Sequence, residues 1–326
     1  MRLPNFIIIG AAKSGTTALY HYLKQHPQIY MSPVKEPRFF AFEQGDLEFG
    51  GPGDMELHHS TLVNLEDYQA LFRDVSGAWA VGEASPVYLC SPKAAGRIKS
   101  FVPDARLIAI LRHPVDRAYS HYLHLIRDGV EPLTDFSQAL QAEEKRVRDN
   151  WEYRWRYKEL GFYAVQLRRY FDTFDREQLK IYLYEDFDTD PQSVLRDVYR
   201  FLGVDDTFVT DTSARYNMSG IPRSKVVHAV LSTLQKATQG TFDRAPQQES
   251  DTRSTLPRRL GKSPWLEKAR LFGIGLKNRN LVKPLLPPDV RKQLLEDYRE
   301  DILTLQDLMQ RDLSRWLTEP KPQRST

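Results

Sequence analysis

Apolar residues in this chain come in short runs bounded by glycine, proline and polar clusters. Residues 6–9 read Phe-Ile-Ile-Ile and stop at Gly10, and residues 105–111 read Ala-Arg-Leu-Ile-Ala-Ile-Leu and stop at Arg112-His113-Pro114. Such runs predict strands covered on both faces. Behind each one the period lengthens to that of a helix. Ala18, Leu19, Tyr22 and Leu23 are spaced helically up to His26-Pro27, and Ala118, Tyr119, Tyr122, Leu123 and Ile126 follow Pro114, which suits a first helical turn. Further strands are expected at 79–82 and 179–184, with helices at 66–72, 163–171 and 191–202. Residues 134–158 read as a longer helix or a pair. Strands separated by helices predict an α/β fold with a central, mainly parallel sheet flanked by helices.

Elsewhere the pattern is weaker. Residues 46–64 are polar and glycine-rich, and are expected to form a long loop. Residues 216–225 look turn-like, and 235–263 show little periodicity. A final helix from residue 289, carrying Val290, Leu294, Tyr298, Ile302, Leu305, Leu308 and Leu313, predicts a helical C-terminal extension. The expected organisation is a core over 1–225, a variable basic segment over 226–288, and a C-terminal helix over 289–318 packed on the core.

The first strand carries the first chemistry. Gly10 and Gly15 stand at the separation of a nucleoside-triphosphate P-loop, G-x-x-x-x-G-K-[ST]. Thr16, however, occupies the lysine position, and the lysine lies inside the loop at Lys13. Thr17 keeps the hydroxyl. A strand, a tight turn and a helix start form an anion cradle with its charge relocated, a P-loop-like, three-layer arrangement. The second strand ends in Arg112, with Ser120 on the helix behind it. A guanidinium and a hydroxyl suit a second phosphate. A kinase would more usually place a magnesium-holding aspartate there.

Composition narrows this reading only slightly. One cysteine, Cys90, excludes an intrachain disulfide and a cysteine-based zinc site, and with Arg112 where a magnesium-holding aspartate would stand, no metal is expected. A net charge of +3 is too slight to argue for a nucleic-acid partner, and none is expected, but it does not oppose an anionic ligand. The start of the sequence lacks a signal-peptide pattern and no long apolar run follows, so a cytoplasmic location is expected. Residues 253–292 hold eleven Lys/Arg against two Asp/Glu. That segment reads as a solvated basic face, or as a docking surface for an anionic partner, a carrier protein or, peripherally, lipid head groups.

Lys13-Ser14-Gly15-Thr16-Thr17, the later Leu111-Arg112-His113-Pro114 with Arg117 and Ser120, and their spacing resemble the sulfotransferases that use 3′-phosphoadenosine-5′-phosphosulfate (PAPS). Gly161-Phe162-Tyr163, Glu185-Asp186 and Phe201-Leu202-Gly203 extend the resemblance across roughly residues 6–225. The final helix looks like bacterial members. The resemblance implies that residues 13–17 hold the 5′-phosphosulfate and that Arg112 and Ser120 hold the 3′-phosphate. Lys13 would then stabilise charge on the leaving phosphate, and 3′,5′-adenosine bisphosphate (PAP) would be the product. Arg223, Ser224 and Lys225 resemble the family's later nucleotide-closing segment, and Tyr163 is either an adenine neighbour or a core aromatic.

Lys35-Glu36-Pro37-Arg38-Phe39-Phe40 matches a segment that supplies the base in the heparan-sulfate and tyrosylprotein branches. Glu36 is therefore the candidate base, with Lys35 and Arg38 beside the acceptor. His58, His59 and Glu83 stand as alternatives. The acceptor is a hydroxyl compound of open class: a carbohydrate, a lipid, a carrier-bound chain, a peptide tyrosine or a small alcohol. Two rivals remain at this level, a P-loop kinase-like phosphotransferase and a non-catalytic nucleotide-binding or membrane-surface protein. His113, His121 and His124 read as ordinary packing or surface residues of one helix.

Overall fold

The computed structural model describes residues 2–216, 218–224, 227, 231, 273, 275, 276 and 278–318. Five parallel strands form one sheet in the order β2-β3-β1-β4-β5. They are β1 (Phe6–Gly10), β2 (Ile29–Met31), β3 (Ala80–Ala84), β4 (Arg106–Leu111) and β5 (Leu179–Leu183). The register sets Phe6 against Gly82 and Arg106, and Leu111 against Leu183. Gly82 has a specific reason to be glycine, since a Cβ there would fall 2.2 Å from the Phe6 ring.

The uniform apolar runs divide by the strand period of two. Ile7, Ile9, Leu107 and Ala109 join one core cluster, while Phe6, Ile8, Ile108 and Ile110 join the other. Each cluster is roofed by helices, which gives three layers. Helices α1 (Thr16–Leu23) and α10 (Pro191–Leu202) cover the second face. Helices α4 (Ala94–Phe101), α5 (Pro114–Arg127) and α8 (Tyr163–Phe171) lie on the first, together with the C-terminal helix (Pro288–Met309). Local signals fix the ends of α10. Asp190 accepts a hydrogen bond from the Ser193 N–H, Pro191 opens the first turn, and Gly203 closes the helix at φ +72°.

Several expectations need correction. The stretch 46–64 contains α2 (Asp54–Ser60), and α3 (Leu65–Ala70) follows it. Helix α4 and the short α9 (Tyr184–Thr189) were not evident from periodicity. Residues 134–158, by contrast, form the expected pair as two short helices, α6 (Phe136–Gln141) and α7 (Glu143–Arg148), followed by a 3-10 turn at Tyr153–Trp155. The turn-like segment contributes β6 (Ile221–Pro222), antiparallel to β7 (Leu281–Val282).

The C-terminal helix buries Leu294, Leu295, Tyr298, Ile302 and Leu305. Its Tyr298 lies over Gly161, where any Cβ would come within 2.6 Å of the ring. Its Asp301 carboxylate accepts from the Ala164 N–H at 3.2 Å and so caps the start of α8. Burial pushes the Asp301 carboxyl up to about 6. Among the described residues, no helix is long and apolar enough to cross a membrane.

Candidate active site

The turn after β1 stands at the carboxyl end of the sheet, where open α/β sheets bind ligands. Lys13 takes the left-handed conformation at φ +69°, and Gly15 does so at φ +96°. Gly15 precedes α1 and has no side chain to cap it, so its position leaves the first-turn N–H groups of α1 without a capping side chain. A Cβ on Gly15 would also press on the Tyr184 and Phe187 rings at 3.3 Å. Arg112 leaves the end of β4 and donates to the Lys13 carbonyl at 3.2 Å, with its guanidinium 4.6 Å from the Tyr184 ring centre. The two predicted anion contacts thus share one corner.

Lys13 carries an ammonium that is buried and bonded to no protein atom among the described residues. Burial, followed by the Arg127 and Arg112 charges, lowers it from the usual lysine value to about 7, against the opposing pull of Asp128 and Glu36. A cavity of about 250 Å³ opens here, lined by Lys13, Thr16, Thr17, Glu36 and Arg38, and also by His121, His124, Asp128, Glu152 and Arg154. Leu57, Val87, Leu89, Leu125 and Leu160 complete it with apolar surface.

Glu36 and Arg38 flank Pro37, and both hold left-handed backbone, at φ +66° and +60°. Such strain in non-glycine residues costs on the order of 1–3 kcal/mol each and persists only where the surroundings enforce it. They do so here. The Glu36 N–H donates to the Ala84 carbonyl at 3.0 Å, and the Arg38 N–H donates to Ser85 Oγ at 3.1 Å. The Glu36 carboxylate meets Lys35 at 2.7 Å and Arg38 at 3.1 Å. Burial alone would raise its carboxyl, but these two cations prevail and hold it at about 2.

Other sequence candidates sit elsewhere. Glu83 does not reach the cavity. It is fully buried and accepts from Tyr68, Tyr88 and Ser85 at 3.2, 2.6 and 2.9 Å. Burial raises its carboxyl to about 7 despite those bonds. Its role is to brace Ser85, which in turn holds Arg38. Tyr163 is also fully buried, and its hydroxyl donates to the Arg112 carbonyl at 3.0 Å, which is the core reading. Ser14 is buried within the turn, and Ser120 shares a hydrogen bond with Ser219. Arg223 and Ser224 pair with Asn280 beside the β6–β7 ribbon. His59 is exposed on α2. The His58 side chain, Lys225 and most of 253–292 lie outside the described residues.

Sequence reasoning missed one face of α5. His121 and His124 line the cavity rather than decorating the surface, and Arg127 reaches across to donate to the Met218 carbonyl at 3.0 Å. The signal was present in the helical spacing of 117, 120, 121, 124 and 127. Lys283 was missed as well. It follows β7 and enters the field of Arg112, and burial together with that charge lowers its amine. Glu152 and Arg154 are brought in by Asp54, which accepts from the Trp155 indole and the Glu152 N–H, both at 3.0 Å. Among the described residues, no group of three His, Cys, Asp or Glu side chains is placed to hold a metal.

Residues 4–208 match a family model described as a sulfotransferase family. A solved sulfotransferase from Alicyclobacillus acidocaldarius is 36% identical, with a TM-score of 0.74, and the match covers 98% of this chain and 100% of that one. The bifunctional heparan sulfate N-deacetylase/N-sulfotransferase 4 of Mus musculus is 33% identical over 205 residues, 62% of this chain. The membrane-associated sulfotransferase kil1 of Dictyostelium discoideum is 36% identical over 150 residues, 44% of this chain. This chain spans only 22% and 29% of those two relatives.

Proposed function

Because the chain belongs to the sulfotransferase family, we propose that it transfers a sulfuryl group from PAPS to a hydroxyl acceptor, with Lys13 at the leaving phosphate and Glu36 as base. The observation that carries this is the Lys13 ammonium, a buried cation without a partner among the described residues, in a cavity where Glu36 already has two. A cation left unpaired in a low-dielectric site is stabilised by an incoming anion.

The residues fit the donor. The turn over 13–17 offers backbone N–H groups and the start of α1 to a phosphosulfate. Arg112, stacked on Tyr184 and near Lys283, suits the separate 3′-phosphate, and Ser120 stands beside the segment containing Ser219. In the reaction an S–O bond to the acceptor forms as the bond from sulfur to the phosphate oxygen breaks. Lys13 meets the charge gathering on that phosphate, an interaction stronger in the transition state than before it. Glu36 takes the proton from the acceptor hydroxyl. Its low pKa keeps it ionised, and its proton affinity rises whenever Lys35 or Arg38 turns to the acceptor instead. Correct placement of such a base contributes about 10²–10⁴ in rate.

The alternative bases fare worse on geometry. Glu83 is sealed away and His59 lies on the exposed side of α2. A kinase reading has no support from the turn, which lacks the P-loop lysine after its second glycine. The cavity mixes three cations and three carboxylates with apolar wall, which suits a polar, hydroxyl-rich acceptor such as a sugar. The family resemblance and this lining support that choice, and a cytoplasmic site of action remains part of the same reading.

Calorimetric titration of EDTA-treated protein with 3′,5′-adenosine bisphosphate, beside MgATP, tests the proposal. Tight metal-free binding that is weakened by Arg112→Ala supports it. Preference for MgATP, or no bisphosphate binding, refutes it.

A further inference from the structure

His121 and Arg117 have no part in the reaction as described so far. Arg117 is fully buried, and among the described residues no carboxylate forms an ion pair with it. Its guanidinium is held by donation to the Tyr157 carbonyl. Tyr157 is itself anchored through its hydroxyl to Glu131, which pairs with Arg146 at 2.8 Å through both carboxylate oxygens. The other end of Arg117 lies 3.3 Å from His121 Nδ1.

An arginine can only donate, so Nδ1 must accept. The neutral ring therefore carries its proton on Nε2. Protonating Nδ1 would place two donors against each other beside a buried charge. Accordingly, burial first, then the Arg117, Lys13 and Arg154 charges, hold His121 well below the usual histidine range, with only Glu36 opposing. The ring stands edge-on to Tyr157, at 5.7 Å and 87°, and lines the cavity shared by Lys13 and Glu36. With Nδ1 committed to Arg117, Nε2–H is the one donor the ring has left.

We infer that His121 is a permanently neutral hydrogen-bond donor, fixed in its Nε2–H form by Arg117, which binds the oxygens of the sulfuryl group as it passes between the Lys13 side and the Glu36 side of the cavity. The inference rests on the donor reading above, and it assigns His121 the opposite task to a base. A neutral donor can serve an anion that spreads charge over several oxygens without adding a proton that could be lost. Arg117 is a positioning residue: it touches neither donor nor acceptor and acts through the tautomer it imposes.

The test uses the whole chain, with inorganic sulfate standing for the sulfuryl group and 3′,5′-adenosine bisphosphate for the rest of the donor. Calorimetry compares wild type, His121→Phe and His121→Gln. Bisphosphate affinity should stay within about twofold in all three, whereas sulfate binding to the bisphosphate complex should fall about tenfold in His121→Phe, the loss of one hydrogen bond to an anion. His121→Gln, which keeps an N–H donor, should recover most of it. Equal sulfate binding in the Phe variant, no recovery in the Gln variant, or no sulfate binding to the wild-type complex overturns the inference while leaving the donor reading intact. Failure of wild type to bind the bisphosphate removes both. Independently, nitrogen-15 NMR of wild type should show His121 with Nδ1 bare and Nε2 protonated from pH 5.5 to 8.5. A proton on Nδ1, or an ordinary histidine titration, overturns it, whereas an Arg117→Gln variant should release that titration.

Discussion

Replacing Lys13 by methionine should stabilise the unliganded protein, and the gain should depend on pH in a defined way. The side chain keeps its length and sheds a charge that burial disfavours. The fall of the Lys13 pKa from 10.5 to about 7 corresponds to about 5 kcal/mol as a ceiling, at about 1.4 kcal/mol per tenfold. The sign follows from proton counting. Below about 7 both folded and unfolded chains hold the proton, and the folded chain bears the full cost. Between about 7 and 10.5 the unfolded chain binds more protons, so wild-type stability rises with pH. The advantage of Lys13→Met should therefore be at most about 5 kcal/mol at pH 6.5, falling to at most about 3 at pH 8 and about 1 at pH 9.5. Urea unfolding of both proteins at those three values measures it. An advantage that does not shrink with pH, or a variant less stable than wild type, refutes the buried-ammonium argument. The same variant should lose bisphosphate binding, so the gain in stability and the loss of function separate.

The remaining predictions concern the reaction. Glu36→Gln should lower kcat by about 10²–10⁴ with little change in donor affinity, as read by steady-state kinetics with any acceptor found; an unchanged kcat removes Glu36 as base. The depressed Glu36 pKa also predicts no acid limb between pH 4 and 6 from this group in the kcat/KM profile. Lys13 must be protonated to bind the donor, so donor kcat/KM should decline above about pH 7, while bound phosphate moves the limb in kcat upward. Gly15→Ala should abolish bisphosphate binding and cost about 1–3 kcal/mol of stability from the positive φ alone, measured by calorimetry and thermal melting.

The two strands that frame the proposed donor corner were readable because each is a short apolar run ending in a charged or glycine-bounded turn, and local chemistry decides both. The displaced lysine at 13 pointed to the same corner for that reason. The acceptor side was less legible because it is assembled at long range. Asp54 draws in Trp155 and Glu152 across about a hundred residues of chain, and no local period announces such a pairing. Glu83 misled because a carboxylate beside Ser85-Pro86 has the composition of a site, while its burial is set by Tyr68 and Tyr88, which arrive from other elements. His121 looked ornamental because a helix is expected to keep a solvated face, whereas α5 buries ten of its fourteen residues, on more than one side.

The cap that Asp301 places on α8 predicts an order of events during synthesis. Helix α8 begins with Tyr163, which holds the end of β4 at Arg112, so the donor corner is braced by a residue translated well over a hundred positions after it. Lys283 arrives equally late. A nascent chain stalled before residue 288 would have a complete sheet, yet leave Gly161 uncovered and α8 uncapped. Competence for the proposed nucleotide should therefore follow emergence of residue 301, and ribosome-bound chains of increasing length should acquire bisphosphate binding in one step at that point rather than gradually.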